Sequence, residues 1–263
     1  MVDIINQTSP SMPLELPVKR VQRVRHELKL RELLVHRVRE VSPALRRFTF
    51  VAAPGHSLHD FVSASFDDHV KLMFDAGDSE PVRRDYTPRR FDAAAGELDI
   101  EFALHGHGPA SAWAAQAAPG QTVRIGGPRG SFVIDPAHDW HLLVGDESAL
   151  PAIARRLEEL PAGARAIVRV RLPDGADVGA MPALASRAGL DVQWLPGHEP
   201  LCAALRALAW PAGEGYAWCA GEAAEVAHWR RILVDERGHP PHAIRAAAYW
   251  KQGRAAHHEN LEG

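Results

Sequence analysis

The hydrophobic rhythm of the chain changes once, near Asp135 and Pro136. Before that point apolar residues come in short runs of period two, cut by proline and glycine. Leu33 to Val38 and Arg46 to Val51 are apolar or alternating. His69 to Phe74 sets Val70, Leu72 and Phe74 on one face, with Lys71 and Met73 on the other, and Leu98 to Leu104 alternates in the same way. Successive side chains point to opposite sides of a strand, so these runs are half-buried strands. Many short strands with regular turn signals predict an antiparallel barrel or sandwich. One short helix interrupts them, from about Ala110 to Ala118, and Pro119 and Gly120 stop it.

From Asp139 onward strand alternates with helix. Strands are predicted over Trp140–Val144, Ala166–Val170, Leu190–Trp194, Tyr216–Ala220 and Ile244–Tyr249. Helices are predicted from Ser148 to about Leu160, around Cys202–Leu208, and over about Glu222–Glu236. That order predicts a parallel sheet covered by helices. The expected fold class is therefore β + α/β: an antiparallel β-barrel over 25–136, then a Rossmann-like parallel-sheet domain over 137–263 that ends in a C-terminal extension. Residues 1–24 read as a poorly ordered lead-in.

Composition removes whole classes of function. At 46% hydrophobic and 24% charged residues, the 263-residue chain has the make-up of a soluble globular protein with a sizeable core. A net charge of −3 gives no bulk attraction to nucleic acid or to an anionic membrane. No apolar run approaches the roughly 18 residues of a membrane span, and the polar start through Pro17 lacks the pattern of a secretory signal. A cytoplasmic monomer is the expectation. Cys202 and Cys219, the two cysteines, are too few for an all-cysteine iron–sulfur cluster, which takes about four. Both have apolar neighbours and read as buried inert thiols. Among the 15 histidines, His105 with His107 and His257 with His258 lie close in sequence, without a carboxylate or cysteine partner at ligand spacing. No metal site is expected.

Four stretches carry candidate chemistry. In Arg83 to Arg90, Arg84 and Tyr86 fall on one side of a strand, offering a cation to a diphosphate and an aromatic face to a flat ring; Thr87 and Arg89 add a hydroxyl and a second cation. Phe102 to Trp113 runs from strand through glycines into a helix with Pro109 at its start, and free N–H groups there make an anion site. Gly126 to Ser131 is a turn that brings backbone close to a ligand. Leu142 to Ile153 is a strand, a tight polar turn and a helix start, and the strand ending at Gly221 and Glu222 supplies a second turn on the same edge. In a doubly wound sheet the ligand lies beyond those strand ends. The G-x-G-x-x-G spacing is absent. Taken singly, each has a plainer explanation as an exposed strand end or a tight turn.

Together, and in this order, Arg84 to Arg89, His105 to Trp113, Gly145 to Ile153, Trp218 to Glu222 and Tyr249 to Gly253 closely resemble the siderophore-interacting proteins. These are FAD-dependent ferric-siderophore reductases of the ferredoxin–NADP reductase superfamily, and the resemblance covers about Arg25 to Gly253. It implies that Tyr86 stacks on the flavin ring, that Thr87 bonds near its reactive nitrogen, and that Arg84 and Arg89 hold the FAD phosphates or ring edge. It implies a pyrophosphate cradle from His105, Gly106, Gly108, Ala110 and Ser111. Gly145, Asp146, Glu147, Ser148, Gly221 and Glu222 would border the nicotinamide nucleotide. Lys71, Arg129, Lys251 and Arg254 would attract an anionic ferric siderophore.

On that resemblance, NAD(P)H gives a hydride to FAD, and electrons pass singly to the ferric ion, so no side-chain base is needed. Arg169 and Arg171, on the second strand of the α/β half with no acid until Asp174, favour NADPH over NADH. A ferredoxin in place of the nicotinamide stays open as donor. Two rival functions stay open as well: a general flavin or ferredoxin-type reductase, and a non-enzymatic siderophore-binding protein.

Overall fold

The computed structural model describes residues 20–43, 45–76, 79–104, 108–253 and 259–260. Its first half is β-rich: β1 (Val21–Arg25), β2 (Leu30–Ser42), β3 (Leu45–Ala52), β4 (Val70–Ala76), β5 (Ser79–Tyr86), β6 (Pro88–Asp92), β7 (Glu97–Ala103), then the helix α1 (Pro109–Gln116), β8 (Thr122–Gly126) and β9 (Gly130–Ile134). Seven of these form an antiparallel half-barrel in the order β5-β4-β8-β2-β3-β7-β6, with β5 and β6 at its edges. The alternation fills its inside: Leu33, Phe48, Phe50, Val70, Leu72, Phe74, Leu98, Ile100, Phe102 and Ile125 are buried together. The outward polar face of β7 is covered too. Asp99 accepts from the Thr49 hydroxyl at 2.6 Å, and Glu101 pairs with Arg47.

The lead-in expected through residue 24 gives way earlier. β1 pairs antiparallel with β9, from Val21 opposite Ile134 to Arg25 opposite Gly130. Four of its five residues are valine or arginine, and the Arg23 guanidinium lies 5.5 Å from the Phe132 ring on β9.

The second half carries β10 (Trp140–Gly145), α2 (Leu150–Glu159), β11 (Arg165–Leu172), β12 (Gly189–Pro196), α3 (His198–Arg206), β13 (Gly215–Glu222), α4 (Ala223–Arg231) with a π-helical turn to Glu236, β14 (Ile244–Trp250) and the short β15 (Glu259–Asn260). The sheet order is β12-β11-β10-β13-β14-β15, parallel throughout except for β15. The chain steps outward from β10 to β11 and β12, then returns to place β13 on the other side of β10. That reversal opens a crevice at the carboxyl ends of β10 and β13. Leu143, Val168, Val170 and Trp218 face α2 on one side of the sheet; Leu142, Val144, Ile167 and Cys219 face α3 and α4 on the other.

α3 begins four residues before the expected Cys202. Pro200 sits in its first turn, where the missing N–H has no intrahelical partner to lose, so the proline does not stop the helix.

Candidate cofactor and substrate site

Arg84 and Tyr86 close β5 on a shared face. The Tyr86 ring packs on Phe102, centroids 4.3 Å apart and tilted 33°, and burial pushes its phenol up, so the ring is a neutral aromatic surface. Arg84 donates to the Arg83 carbonyl at 2.8 Å, which leaves most of its fork of N–H donors for an anion. Thr87 is buried where the two halves meet. Its hydroxyl bonds the Tyr249 hydroxyl, which itself donates to Asp67 Oδ1 at 2.8 Å.

α1 starts at Pro109 after Gly108, with no side-chain cap and no acidic residue in its first turn. Among the described residues no side chain caps these first-turn amides and no acid offsets the positive end, which suits a diphosphate. At the other end, Arg46 on β3 donates to the Ala114 and Ala115 carbonyls at 2.9 and 3.0 Å. Ala110 is buried against the core, and the Ser111 hydroxyl donates to the Ala103 carbonyl at 3.4 Å. His105, Gly106 and Arg254 lie outside the described residues. The features that are described fit a flavin dinucleotide: an aromatic plate, a cation beside it, and a helix N-terminus without a side-chain cap among the described residues.

Arg89, expected at the FAD phosphates or ring edge, carries an ion pair in the fold. It is buried, and both Nη atoms donate to the two carboxylate oxygens of Glu158 on α2, one at 2.8 Å. Its guanidinium ties the half-barrel to α2 of the parallel-sheet half. A buried cation needs a close acid, and Glu158 supplies it.

At the crevice, Asp146 follows β10 and is almost fully buried, 1% exposed. Its Oδ1 accepts from the Ser148 amide at 2.9 Å and from the Ser148 hydroxyl. Its Oδ2 accepts from the Glu222 amide at 3.0 Å and Trp250 Nε1 at 2.8 Å. Glu222 caps α4 by accepting from the Ala224 and Glu225 amides, and its other oxygen accepts from the Gln252 amide at 3.2 Å. These two carboxylates, expected to border a nucleotide, have their acceptors filled by the protein. They brace the crevice, and what they present to it is backbone with the half-buried Glu147 and Ser148. Gly221 is required here: its φ is +151°, and a Cβ would sit 2.6 Å from Asp146 Oδ2. At Gly145 a Cβ would meet the Ala149 side chain at 2.4 Å, so this glycine sets the close approach of turn to strand.

On β11 Arg169 is buried and donates to Asp191 at 2.9 Å, while Arg171 donates from Nε to Glu225 Oε2 at 2.9 Å. An acid does face Arg171, from α4 and not from its own strand tip. Of the candidate substrate cations, Lys71 pairs with Asp85 through bonds of 2.7 and 2.8 Å. Register places Lys71 opposite Gly126, at the head of the turn that carries the exposed Arg129. Lys251 is exposed just beyond β14.

Two groups were missed in the sequence. One is the set that fastens the halves together: Asp67 bonded to Arg245 and Tyr249, Phe66 packed edge-on to Trp218 at 5.3 Å, and Arg155 donating to Ser63 and to the Pro88 carbonyl. The paired acids Asp67 and Asp68 in an apolar neighbourhood were its only signal. The other is a side-chain cluster around the buried Cys202, whose thiol burial pushes up. His198 Nε2 lies 2.9 Å from His228 Nδ1 and 3.3 Å from Cys202 Sγ. The signal was the four-residue spacing of His198 and Cys202, hidden by starting α3 too late. Cys219 is as expected: wholly buried, with burial pushing its thiol up to about 12.

A family model described as siderophore-interacting protein matches residues 138–253, and one described as siderophore-interacting FAD-binding domain matches 34–80 and 75–132. The chain is 37% identical to an NADPH-dependent ferric-chelate reductase of Escherichia coli, over 87% of this chain and 96% of that one. It is 32% identical to a ferric vibriobactin reductase of Vibrio cholerae, over 85% and 90%. The solved structure of a siderophore utilization protein from T. fusca superposes with a TM-score of 0.80 at 32% identity, covering 90% of this chain and 98% of that one. With both halves matched in sequence and in fold, the chain belongs to the siderophore-interacting protein family.

Proposed function

We propose that this protein is a cytoplasmic, monomeric flavoprotein that reduces ferric siderophores with electrons from NADPH. The observation that carries the reading is a continuous set of bonds between the two candidate sites. Thr87, next to the aromatic plate of Tyr86, bonds Tyr249 on β14. The next residue, Trp250, donates to Asp146 at the crevice. A flat ring on Tyr86 and a nucleotide at the ends of β10 and β13 would thus adjoin, as electron transfer between them requires.

Bound FAD would supply the exchange of one hydride for two single electrons. The protein's own residues do the rest. Tyr86 presents the aromatic surface, Arg84 and the start of α1 counter the diphosphate charge, and the braced turns after β10 and β13 hold the crevice open. Lys71, Arg129 and Lys251 give the outer edge cationic character toward an anionic chelate, and Arg254 extends that set in sequence. Two ferric ions are reduced for each NADPH oxidised. Ferrous iron polarises hard oxygen ligands less strongly, so the chelate releases it.

The test is anaerobic titration of the FAD-loaded protein with NADPH, then with a ferric siderophore in the presence of a ferrous-specific chromophore. Bleaching of the flavin by NADPH, followed by its return in step with ferrous iron, is the expected result. Bleaching by reduced ferredoxin alone would move the donor. Bleaching without recovery on ferric siderophore would overturn the substrate. Replacing Tyr86 with alanine is expected to weaken FAD retention by about 5- to 150-fold, from the loss of about 1–3 kcal/mol of ring stacking.

A further inference from the structure

We propose that His198, Cys202 and His228 form a binding site for a zinc-class divalent ion, with one coordination position left for water or an outside ligand. The three come from two helices packed on the same face of the parallel sheet. His198 and Cys202 lie one turn apart on α3, where side chains four residues apart share a face, and His228 faces them from α4. Their donor atoms lie within 4.8 Å of one another: 2.9 Å between His198 Nε2 and His228 Nδ1, 3.3 Å from Cys202 Sγ to the first, and 4.0 Å to the second. A tetrahedral zinc with bonds of about 2.05 Å to nitrogen and about 2.3 Å to sulfur separates its ligands by about 3.3 Å between nitrogens and about 3.6 Å between nitrogen and sulfur. The two sulfur–nitrogen distances bracket their value and the nitrogen–nitrogen distance of 2.9 Å falls a little short of its own, so a few tenths of an ångström of side-chain movement would seat the ion.

A second observation points the same way. The outer nitrogen of His198, Nδ1, is buried without a hydrogen bond, yet Glu225 Oε1 lies 3.4 Å from it. A histidine bound to a metal through one nitrogen characteristically offers the other N–H to a carboxylate, which fixes the tautomer and the ring plane. Glu225 is itself held by Arg171 at 2.9 Å, so it is positioned for that part. Cys202 is fully buried at the base of the cluster, while both imidazoles are half-buried, which leaves the fourth side of the ion toward solvent. On binding, the Cys202 S–H bond gives its proton to water and the thiolate takes the metal; both imidazoles bind neutral. One thiolate with two imidazoles favours zinc over ferrous iron, by ligand softness and by intrinsic affinity order. The proposed iron product is therefore not the expected occupant.

The experiment uses the untagged, FAD-loaded full chain. Zinc content is measured after equilibration and gel filtration, and cobalt is titrated as an optical probe, read to the red of oxidised flavin absorption where tetrahedral cobalt absorbs. The expected result is a single zinc per chain and tetrahedral cobalt bands with thiolate character. Cys202→Ser and His228→Gln, each checked for flavin content and circular dichroism, should both lose the ion. Glu225→Gln should weaken it by about 10–100-fold, as removal of an outer carboxylate does. Equal zinc binding by the wild type and Cys202→Ser would overturn the proposal, because the surface histidines would then account for all of it. So would no binding by the wild type, or tighter binding of ferrous iron than of zinc in direct competition. None of these readings requires reductase activity, so the site and the proposed function stand or fall separately.

Discussion

Arg171 shows how a single residue changes meaning between sequence and structure. In the sequence it stands on a strand without an acid at the tip, which suits the 2′-phosphate of NADPH. In the fold it already bonds Glu225 through Nε, with its two terminal nitrogens left for a phosphate. An aspartate there would face Glu225, so the informative change is Arg171→Gln. It should raise the KM for NADPH by about 10-fold or more and leave NADH turnover unchanged, since a hydrogen bond to a charged group contributes about 1.5–3 kcal/mol. Equal loss for both nucleotides would show that Arg171 only supports α4. His141 carries a second prediction at this scale. Burial, with the Arg156 guanidinium 3.5 Å from Nδ1, pushes its imidazole from 6.5 down to about 3. The unfolded chain therefore binds a proton that the folded protein refuses between those values, and stability is present above pH 6.5 and lost as pH falls toward 3. At pH 5 the expected loss from this group is about 2 kcal/mol. Chemical denaturation at pH 8 and pH 5 should show it, and His141→Gln should flatten the dependence. Neither Arg156 nor Pro136, the groups that set this pKa, could be paired with His141 from sequence spacing.

At the scale of elements, period-two alternation was enough to find the strands that fill the half-barrel. Val70, Leu72 and Phe74 are buried as their spacing required, with Lys71 and Met73 on the other side. The order of strands and helices likewise made the parallel sheet legible. What alternation could not reveal is which polar side chains meet across elements. The polar face of β7 reads as solvent-exposed, yet Asp99 and Glu101 are buried because Thr49 and Arg47 on the neighbouring strand cover them. The candidate site divides in the same way. Arg84, Tyr86 and the start of α1 were legible because one element supplies each, whereas the pairing of Arg89 with Glu158 depends on the packing of the two halves. α1 itself is two turns long and uncapped at its start, too short to stand without tertiary support. Arg46 supplies part of that support at its carbonyl end, where a cation also complements the helix dipole. Arg46→Ala should cost about 1 kcal/mol there. If the start of α1 holds the FAD diphosphate, the affinity for FAD should fall by about 5-fold, measured by flavin titration of the apoprotein. An unchanged FAD affinity with lowered stability would separate the helix from the cofactor.

At the scale of the whole molecule, the two sheets are joined by more than the link between β9 and β10. The segment from Phe61 to Asp68 leaves the half-barrel and inserts against the parallel sheet. Phe66 enters the core beside Trp218 and beneath the Arg156 guanidinium, 5.0 Å from its ring. Asp67, 1% exposed at its side chain, meets Arg245, which also lies 4.2 Å over the Phe132 ring. A buried pair of this kind costs little while both partners are present and a great deal when one is removed, because the remaining charge is stranded away from water. Asp67→Asn keeps the shape and one acceptor for Tyr249 but leaves Arg245 without its counter-charge. It should destabilise the protein by about 3–5 kcal/mol and separate a single thermal transition into two as the halves uncouple. The companion change Arg245→Met, made together with Asp67→Asn, should recover part of the loss, since the stranded charge is gone. Because Thr87 hangs from the same chain through Tyr249, the single variant should also slow flavin reduction by NADPH more than it weakens binding of either cofactor. If Asp67→Asn instead melts in one unshifted transition, the junction rests on Phe66 with Trp218 and on the Arg89–Glu158 and Arg155 contacts, and the Asp67 chain serves only to orient Tyr249 beside the flavin site.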